Sequence, residues 1–375
     1  MKFEPFELER NMSQWENVVD YNLSESGVHP LSLKEILTAE ELDELSEMEL
    51  LYCQANGTEE LRRAICGLYP HATPDNILVT NGSAEANFLT IMTLLEPGDE
   101  LIYMMPNYLQ IWGFARSLGV EVRPIRLRDD HGWQIDVDEL ASLITPQTKM
   151  ISVCNPNNPT GAVMDCDIMM RVRELAREHD LWLHSDEVYR GAELSGEESS
   201  SFYSGHEKDI VVAGLSKAYR LPGLRLGWMV ANPDFIWKAW SLHDYTTISI
   251  GTLSDWVASR ILQPERRTAL LSDVHDFLRN NLKILQGWVD GQDGLFSFTP
   301  PQAAAIAFLR CHFDGGSVRL IEQIRDEQSV LVMPGKWFGM ENYIRVGYGT
   351  PADYLKAGLD RMAQMLNAFR IEATA

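Results

Sequence analysis

Short apolar runs alternate with amphipathic stretches through most of the chain, beginning near Asn76. Seven runs have the length and apolar character of buried strands, at 77–80, 100–105, 120–125, 149–154, 181–186, 209–215 and 225–231. The stretches between them, such as 84–95 and 165–179, have the period of helices. This alternation is typical of parallel strands joined by crossover helices. We therefore predict an α/β fold with a mainly parallel seven-stranded sheet flanked by helices.

The pattern changes towards the C-terminus. A long helical stretch covers 253–289, and short strands at 295–299, 304–310 and 343–348 then alternate with helices near 316–328 and 350–368. Mixed short elements indicate a smaller α+β domain. We predict an N-terminal segment at 1–48 that packs with the small domain, a large domain at 49–290 and a small C-terminal domain at 291–375.

Charge and cysteine content narrow the classes of partner. The 375 residues include 32 basic and 54 acidic ones, a net charge of −22, which argues against nucleic acid and anionic membranes as partners. The five cysteines are scattered, without metal-ligand spacing, so we expect no metal. No stretch approaches the roughly 20 apolar residues of a membrane helix, and the start lacks the apolar core of a signal peptide. We expect a cytoplasmic protein.

The first motif with chemical meaning is TNGSAEA at 80–86. It follows a predicted strand, at the end where parallel sheets bind ligands. Gly82, Ser83 and Ala84 lie at a helix N-terminus, whose free N–H groups favour a phosphate. Taken alone, the motif is also an ordinary helix start with Ser83 as the N-cap.

A lysine occupies the corresponding place in GLSKAYRLPGLRLGW at 214–228. Lys217 comes just after a strand, with Ser216 beside it and Arg225 eight residues later. A lone lysine is normally a solvated surface group. Schiff-base chemistry, however, needs an amine whose pKa can fall, and a fixed cation nearby can hold a phosphate. The combination therefore favours a functional lysine.

Two more loops follow predicted strands. NPNNPTG at 155–161 is a rigid turn containing Asn155, Asn157 and Asn158, any of which could donate to a ring oxygen. In LHSDEVYRG at 183–191, Asp186 follows a strand and Tyr189 lies three residues later. Asp186 is either a cap or a carboxylate that keeps a pyridine nitrogen protonated.

The remaining two motifs contain an aromatic ring and a single charge. PNYLQIW at 106–112 offers Tyr108, which is either a core residue or a stacking platform. In YIRVGYG at 343–349, Arg345 is the charge inside a β-rich run, so it is either paired structurally or binds a carboxylate.

Together these motifs resemble fold-type I pyridoxal 5'-phosphate (PLP) enzymes of the class I/II aminotransferase superfamily. The resemblance extends from about Tyr52 to the C-terminus and implies that Lys217 forms a Schiff base with PLP. It also implies that Asp186 pairs with the ring nitrogen and that Lys217, Asp186 and Tyr189 are the catalytic residues. The cofactor-binding set implied is Tyr52, Gly82, Ser83, Ala84, Tyr108, Asn158, Asp186, Tyr189, Ser216, Lys217 and Arg225, and the substrate-binding set is Gly27, Asn158 and Arg345.

Oligomeric state is a further implication of the resemblance. YCQANGTEELR at 52–62 is similar to a family element whose tyrosine reaches the cofactor phosphate of the neighbouring subunit. Tyr52 would then belong to the partner's active site. A homodimer with shared active sites is therefore expected.

The reaction is less closely defined than the cofactor. The leading interpretation is an aminotransferase that acts at the α-carbon of an amino acid with a 2-oxo acid as second substrate. A PLP-dependent lyase, oxidase or cyclase is the alternative, because PLP chemistry depends on which substrate bond is cleaved. An interpretation of another class is a non-catalytic ligand-sensing or structural homologue, which the acidic chain and the presence of Lys217, Asp186 and Arg225 disfavour.

The N-terminal stretch gives one indication about the substrate. Residues 11–32 are similar to the start of capreomycidine synthase-like enzymes, which cyclise a hydroxylated arginine. N-terminal segments of this fold line the side-chain pocket, so Glu16 or Glu25 could face a guanidinium. The alternative is that both glutamates are solvated. A basic or guanidino amino acid is thus a hypothesis for the substrate.

Overall fold

The computed structural model describes residues 3–312 and 316–373 of the chain. The N-terminal segment contains helix α1 (Glu7–Trp15), strand β1 (Tyr21–Asn22) and the short helices α2 (Leu33–Ile36) and α3 (Ala39–Ser46). Helix α1 is amphipathic, with Leu8 and Met12 buried one turn apart. Its apolar face therefore lies against the rest of the molecule.

A seven-stranded sheet forms the centre of the described structure, in the order β2-β8-β7-β6-β5-β3-β4. Its strands are β2 (Ile77–Thr80), β3 (Glu100–Met105), β4 (Glu121–Arg126), β5 (Thr148–Cys154), β6 (Trp182–Asp186), β7 (Asp209–Gly214) and β8 (Gly227–Val230). Strand β8 runs antiparallel to both of its neighbours, and the other strands share one direction. All residues of β3 and β7 are buried, as in a sheet covered on both faces. The predicted fold class is confirmed.

Eight helices belong to this part of the chain, and four of them connect successive strands of the sheet. They are α4 (Glu59–Cys66), α5 (Ser83–Leu94), α6 (Gln110–Ser117), α7 (Val137–Leu143), α8 (Cys166–Glu178), α9 (Pro233–His243), α10 (Thr252–Ile261) and α11 (Pro264–Asp290). Proline occupies the first turn of α9 and of α11, where its missing N–H costs no hydrogen bond. No helix in the described ranges is both long and apolar enough to cross a membrane.

A second, smaller sheet follows α11. The remaining elements are β9 (Phe296–Ser297), β10 (Ile306–Cys311), α12 (Ser317–Gln328), β11 (Val330–Leu331), β12 (Met333–Pro334), β13 (Tyr343–Gly347) and α13 (Ala352–Ala373). Four of the strands form an antiparallel sheet in the order β12-β13-β10-β9. Strand β11 instead pairs in parallel with β1 of the N-terminal segment. The division of the chain at residues 48 and 290 stays a prediction.

Three predicted strands begin or end two residues inside the predicted range. The strand predicted from residue 225 begins at Gly227, because Arg225 has a φ of +48° that a strand cannot accommodate. The strand predicted from residue 304 begins at Ile306 for the same reason, since Ala304 has a φ of +67°. The strand predicted at 295–299 covers only Phe296–Ser297 and is followed by two prolines, which lack the N–H that a ladder needs.

The N-terminal segment contacts both sheets. Strand β1 joins β11, whereas Phe6 packs edge-on against Tyr108, with ring centroids 4.8 Å apart. Glu4 forms an ion pair with Arg116 of α6 at 3.3 Å. These contacts place α1 above the carboxyl ends of the central strands.

Candidate active site

A cavity of about 420 Å³ opens at the carboxyl ends of the central strands. Ten of the predicted catalytic, cofactor-binding and substrate-binding residues line it: Ser83, Ala84, Tyr108, Asn158, Asp186, Tyr189, Ser216, Lys217, Arg225 and Arg345. Arg345 lies on β13 of the small sheet, and the others come from a strand end, a helix start and loops that lie far apart in the chain. The parallel order of the strands brings the loops to one edge of the sheet.

One end of the cavity is the N-terminus of α5. Its N-cap is Gly82, with a φ of +78° and no side-chain cap, so the interpretation of Ser83 as a simple N-cap is wrong. A Cβ on Gly82 would lie 2.7 Å from Nη2 of Arg225, and one on Gly227 would lie 2.4 Å from the N of Ser83. Only glycine permits these approaches. The unpaired N–H groups of α5 and the Arg225 guanidinium therefore face the same space.

Arg225 is held in an unusual backbone conformation. It is a non-glycine residue in the left-handed region, at the end of a short 3-10 turn. Its Nη1 donates to the carbonyl oxygen of Pro222 at 3.0 Å and to Oγ of Ser216 at 3.4 Å. Strained residues of this kind cluster at functional sites, where the surrounding structure holds them in place.

The carboxylate of Asp186 lies at the end of β6. Its Oδ2 accepts a hydrogen bond from Nδ2 of Asn87 at 3.0 Å, and its Oδ1 accepts one from the N–H of Val188 at 3.2 Å. Burial raises the pKa of Asp186, while the two hydrogen bonds and the positive charge of Lys217 oppose that rise. A cation placed beside Asp186 would therefore gain a strong partner.

Asn158 is the asparagine of the NPNNPTG loop that lines the cavity. Asn155 and Asn157 instead brace the loop: Oδ1 of Asn155 accepts from the N–H of Met164 at 2.8 Å, and Oδ1 of Asn157 accepts from Oγ1 of Thr160 at 2.6 Å. Of the three asparagines that could donate to a ring oxygen, the geometry therefore leaves Asn158.

Lys217 is paired with a glutamate. Its Nζ donates to Oε1 of Glu25 at 2.7 Å, and the N–H groups of Ser26 and Gly27 donate to the same oxygen at 2.9 and 3.0 Å. The charge of Lys217 lowers the pKa of Glu25 to about 2. Burial opposes the charge of Lys217, but Glu25 outweighs it and the pKa of Lys217 is raised. The pair contributes stability at neutral pH that is lost as the pH falls from 4.5 towards 2.

Arg345 is buried with a relative exposure of 1%. Its Nη1 donates to Oδ1 of Asn158 at 2.9 Å and its Nη2 to the carbonyl oxygen of Ser24 at 2.5 Å, while Nε has no partner. No carboxylate in the described ranges forms an ion pair with it. A buried guanidinium without an anion is costly, so this group is ready to bind a carboxylate.

The wall opposite the sheet comes from the N-terminal segment and is acidic. Glu9, Glu16 and Glu25 all line the cavity. The pKa of Glu16 is raised by its partial burial first and then by the negative charges of Glu25 and Glu9. Tyr108 connects this wall to the site, since its hydroxyl donates to Oε1 of Glu9 at 2.7 Å.

Three predicted residues lie outside the cavity lining. Gly82 lies against Arg225, which does line the cavity, and the N–H of Gly27 donates to Oε1 of Glu25. Tyr52 is 87% exposed and does not line the cavity of its own chain. Tyr189 lines the cavity, but its hydroxyl donates to Oγ of Ser26 at 2.9 Å.

Sequence reasoning missed several polar residues of the lining. Asn87, Gln110 and Ser152 face the cavity from α5, α6 and β5, and Glu9 faces it from α1. A signal existed for Asn87, which follows Ser83 by one helical turn and so lies on the same face of α5. Glu9 gave none, because its position depends on how α1 packs over the sheet.

Comparison with known proteins gives a family assignment. Residues 20–362 match the protein family described as aminotransferase class I and II. The chain belongs to this family. This match confirms the resemblance inferred from the ordered motifs.

Relatives of this aminotransferase-family chain match it over most of their length. A PLP-dependent aminotransferase from Streptococcus suis is 33% identical, covers 98% of this chain and 99% of its own, and superposes with a TM-score of 0.92. Capreomycidine synthase of Streptomyces vinaceus is 29% identical over 92% of this chain and 89% of its own. Aspartate/prephenate aminotransferase of Thermus thermophilus is 28% identical over 86% of this chain and 85% of its own.

The cofactor of this aminotransferase-family chain is pyridoxal 5'-phosphate. The cavity residues fit its chemistry. Two glycine-dependent approaches leave the α5 N–H groups and Arg225 open to a phosphate. The Lys217 amine and the Asp186 carboxylate, both in the cavity lining, match the aldehyde and the basic ring nitrogen of the cofactor.

The Glu25 ion pair predicts how Lys217 responds to pH. Replacing Glu25 by glutamine should lower the pKa of Lys217, because the negative charge and the charge-assisted hydrogen bond that raise it are removed. The measurement is the pH dependence of Lys217 acylation in cofactor-free protein, read by peptide mass spectrometry. Glu16→Gln is the matched control and should give a smaller shift. An unchanged midpoint in Glu25→Gln would contradict the pairing.

Proposed function

We propose that this chain is a PLP-dependent aminotransferase that acts at the α-carbon of an amino acid and uses a 2-oxo acid as second substrate. The observation that supports this most is the buried Arg345 guanidinium, which forms no ion pair in the described structure and shares a cavity with the Lys217 amine. An α-carboxylate bound at Arg345 would hold the substrate in that cavity. Asn158 would help, because its amide already contacts Arg345.

When bound, PLP accepts the electrons released as a bond to Cα breaks, provided that its ring nitrogen is protonated. Asp186 would favour that protonation, since a carboxylate stabilises a neighbouring cation. Lys217 would bind the cofactor covalently, and its freed Nζ would remove the Cα proton as a general base. Asn158 and Tyr189 would contact the ring's 3-oxygen, and Tyr108 would stack on the ring.

The phosphate would lie at the N-terminus of α5. We assign it to Gly82, Ser83, Ala84, Ser216 and Arg225, which combine backbone N–H groups, a hydroxyl and a guanidinium. The backbone of Gly27 would help to bind the substrate carboxylate. Its N–H donates to Glu25 in this structure, so that role requires a change of partner.

Lys217→Ala tests the central residue of this proposal. The variant should lose the visible absorbance of the bound cofactor, and turnover should fall by at least about a hundredfold, because no other cavity side chain supplies an amine. Lys208→Ala is the control, since Lys208 pairs with Asp180 away from the cavity. A Lys217→Ala spectrum identical to that of the parent protein would contradict the proposal.

We also propose a homodimer with shared active sites. Tyr52 lies in an exposed apolar patch with Leu50, Leu51, Ile248 and Leu253. Two contacts join the parts of the patch: Oγ1 of Thr252 donates to the carbonyl oxygen of Leu51, and Sγ of Cys53 contacts that of Ile250 at 3.3 Å. Contiguous exposed apolar surface of this kind favours an interface.

Shared sites predict complementation between two inactive or weakened variants. Tyr52→Phe should weaken PLP retention about tenfold, since one charge-assisted hydrogen bond to phosphate is lost. Mixed with Lys217→Ala chains, it should regenerate some sites with parental PLP affinity. Tyr245→Phe, which alters an equally exposed tyrosine, should leave PLP retention unchanged. A fully active monomer in sedimentation would overturn the shared-site proposal.

A second candidate function is that of an enzyme whose substrate is a basic or guanidino amino acid. The reaction would be a transamination or a lyase, oxidase or cyclase reaction. The observation that favours it is the charge of the cavity wall. Of the lining cations in the described structure, Arg225 is assigned to phosphate, Arg345 to the α-carboxylate and Lys217 to the cofactor. Glu9, Glu16 and Glu25 are then left without a cation, and no lining cation remains for a second substrate carboxylate.

Glu16 is the best placed of these glutamates. In the described structure its carboxylate has no hydrogen bond or ion pair, and partial burial followed by the charges of Glu25 and Glu9 raises its pKa. A cationic side chain would relieve that repulsion, and a guanidinium can bind a carboxylate through two parallel bonds. The similarity to capreomycidine synthase over 92% of this chain agrees with this candidate.

Spectral titration against the amino acids tests the substrate class. Arginine or its analogues should perturb the cofactor absorbance at lower concentration than glutamate or phenylalanine, and Glu16→Gln should raise the apparent Kd for arginine about tenfold or more. Glu7→Gln, on the exposed face of the same helix, is the control. If an acidic or aromatic amino acid binds and arginine does not, the cationic class is wrong and the aminotransferase proposal stands.

The proposed function also includes a cellular location and a division of the chain into domains. We propose that the protein acts in the cytoplasm, which agrees with its five free cysteines. We also propose that residues 1–48, 49–290 and 291–375 are the N-terminal segment, the large domain and the small domain. The end of α11 at Asp290 agrees with the second boundary.

A further inference from the structure

A buried chain of hydrogen bonds runs from β5 to Asp186. Ser152 on β5 lies directly opposite His184 on β6, with Oγ of Ser152 2.9 Å from Nδ1 of His184. Nε2 of His184 is 3.1 Å from Oδ1 of Asn87, whose Nδ2 donates to Oδ2 of Asp186 at 3.0 Å. Ser152, His184 and Asn87 are each at most 3% exposed, so water does not compete for these bonds.

A backbone carbonyl sets the direction of this chain. Gln110 contacts the carbonyl oxygen of Ala84 at 2.9 Å, and because a carbonyl only accepts, Gln110 must place its Nε2 there. Its Oε1 then faces Nδ2 of Asn87 at 3.4 Å. The Asn87 amide therefore gives its hydrogens to Gln110 and Asp186 and accepts at Oδ1. It follows that His184 has its proton on Nε2 and accepts a bond at Nδ1.

Asp186 is the charged group of this hydrogen-bond chain, and the other members are neutral. Burial lowers the pKa of His184 to about 3, so its ring is neutral over the working range of an enzyme. Asp186 receives its donors from two sides, from Asn87 and from the N–H of Val188. Neutral donors stabilise an anion without the desolvation cost of another buried ion.

We propose that Asn87, His184 and Ser152 are positioning residues that keep Asp186 ionised and directed at the ring nitrogen of the cofactor. The proposal rests on the proposed role of Asp186. Each donor in the hydrogen-bond chain is itself oriented by the next, so the carboxylate is held by a network that begins on the neighbouring strand β5. Loss of one link should weaken the hold of Asp186 on the ring proton.

Other titratable groups also act on Asp186. They are Lys217 after β7, Cys154 on β5, Tyr103 on β3 and Tyr108 after it. Burial raises the pKa values of Cys154, Tyr103 and Tyr108, so these groups stay neutral at neutral pH. Lys217 is the cation among them, and the substitutions below leave it in place.

The first test needs no substitution. NMR of the holoenzyme with isotope-labelled histidine should find His184 in the Nε2–H tautomer, with Nδ1 hydrogen-bonded but unprotonated. The Nδ1–H tautomer or a charged ring would overturn the proposed direction of the chain.

The second test follows the ring proton in holoenzyme reconstituted with nitrogen-labelled PLP. In Asn87→Leu, the pH at which the ring nitrogen loses its proton should fall by about one unit or more, the effect of one lost charge-assisted hydrogen bond. Thr90→Val is the matched control, because Thr90 is buried one turn further along α5 and bonds only to the carbonyl of Ala86. Its midpoint should equal that of the parent protein.

The Asp186→Asn variant distinguishes the positioning proposal from the proposed role of Asp186. If this variant shifts the ring-proton midpoint and Asn87→Leu does not, the positioning proposal fails and the role of Asp186 remains. If Asp186→Asn leaves the midpoint unchanged, the proposed role of Asp186 fails, and the positioning proposal fails with it.

Discussion

Charge withdrawn wholly or partly from water at the carboxyl edge of the central sheet is the constraint on which the rest of the site depends. Charged groups removed from water need an opposite charge or a donor, or they destabilise the fold. Lys217 meets this need through Glu25, and Asp186 meets it through Asn87 and Val188. Arg345 has only neutral partners in the described structure, so it is the group with most to gain from an anionic ligand.

The architecture supplies these charges from three separate parts of the chain. The parallel strands provide Asp186 and Lys217, the small antiparallel sheet provides Arg345, and the N-terminal segment provides Glu25. Strand β1 ties the N-terminal segment to β11, and α1 then reaches across to Tyr108. A substrate in the cavity would therefore contact all three parts, which couples binding to their relative position.

The strands and most of the lining could be predicted because they depend on local pattern. A strand followed by a glycine or a lysine is visible in sequence, and parallel pairing then dictates that such loops meet. The Glu25–Lys217 pair and the Asn87–His184 chain were not predictable, since they join residues 192 and 97 positions apart. Strand starts were misjudged at Arg225 and Ala304, where tertiary contacts impose positive φ angles that the apolar pattern does not reveal.

The most direct test of the account is a single-turnover measurement of 2-oxo acid formed per active site. Purified holoenzyme mixed with its amino acid, in the absence of a 2-oxo acid acceptor, should form about one equivalent per site and then stop, as two half-reactions with alternating substrates require. Added 2-oxo acid should restore turnover. Continuous consumption of the amino acid without any acceptor would contradict the aminotransferase assignment and favour a lyase, oxidase or cyclase reaction.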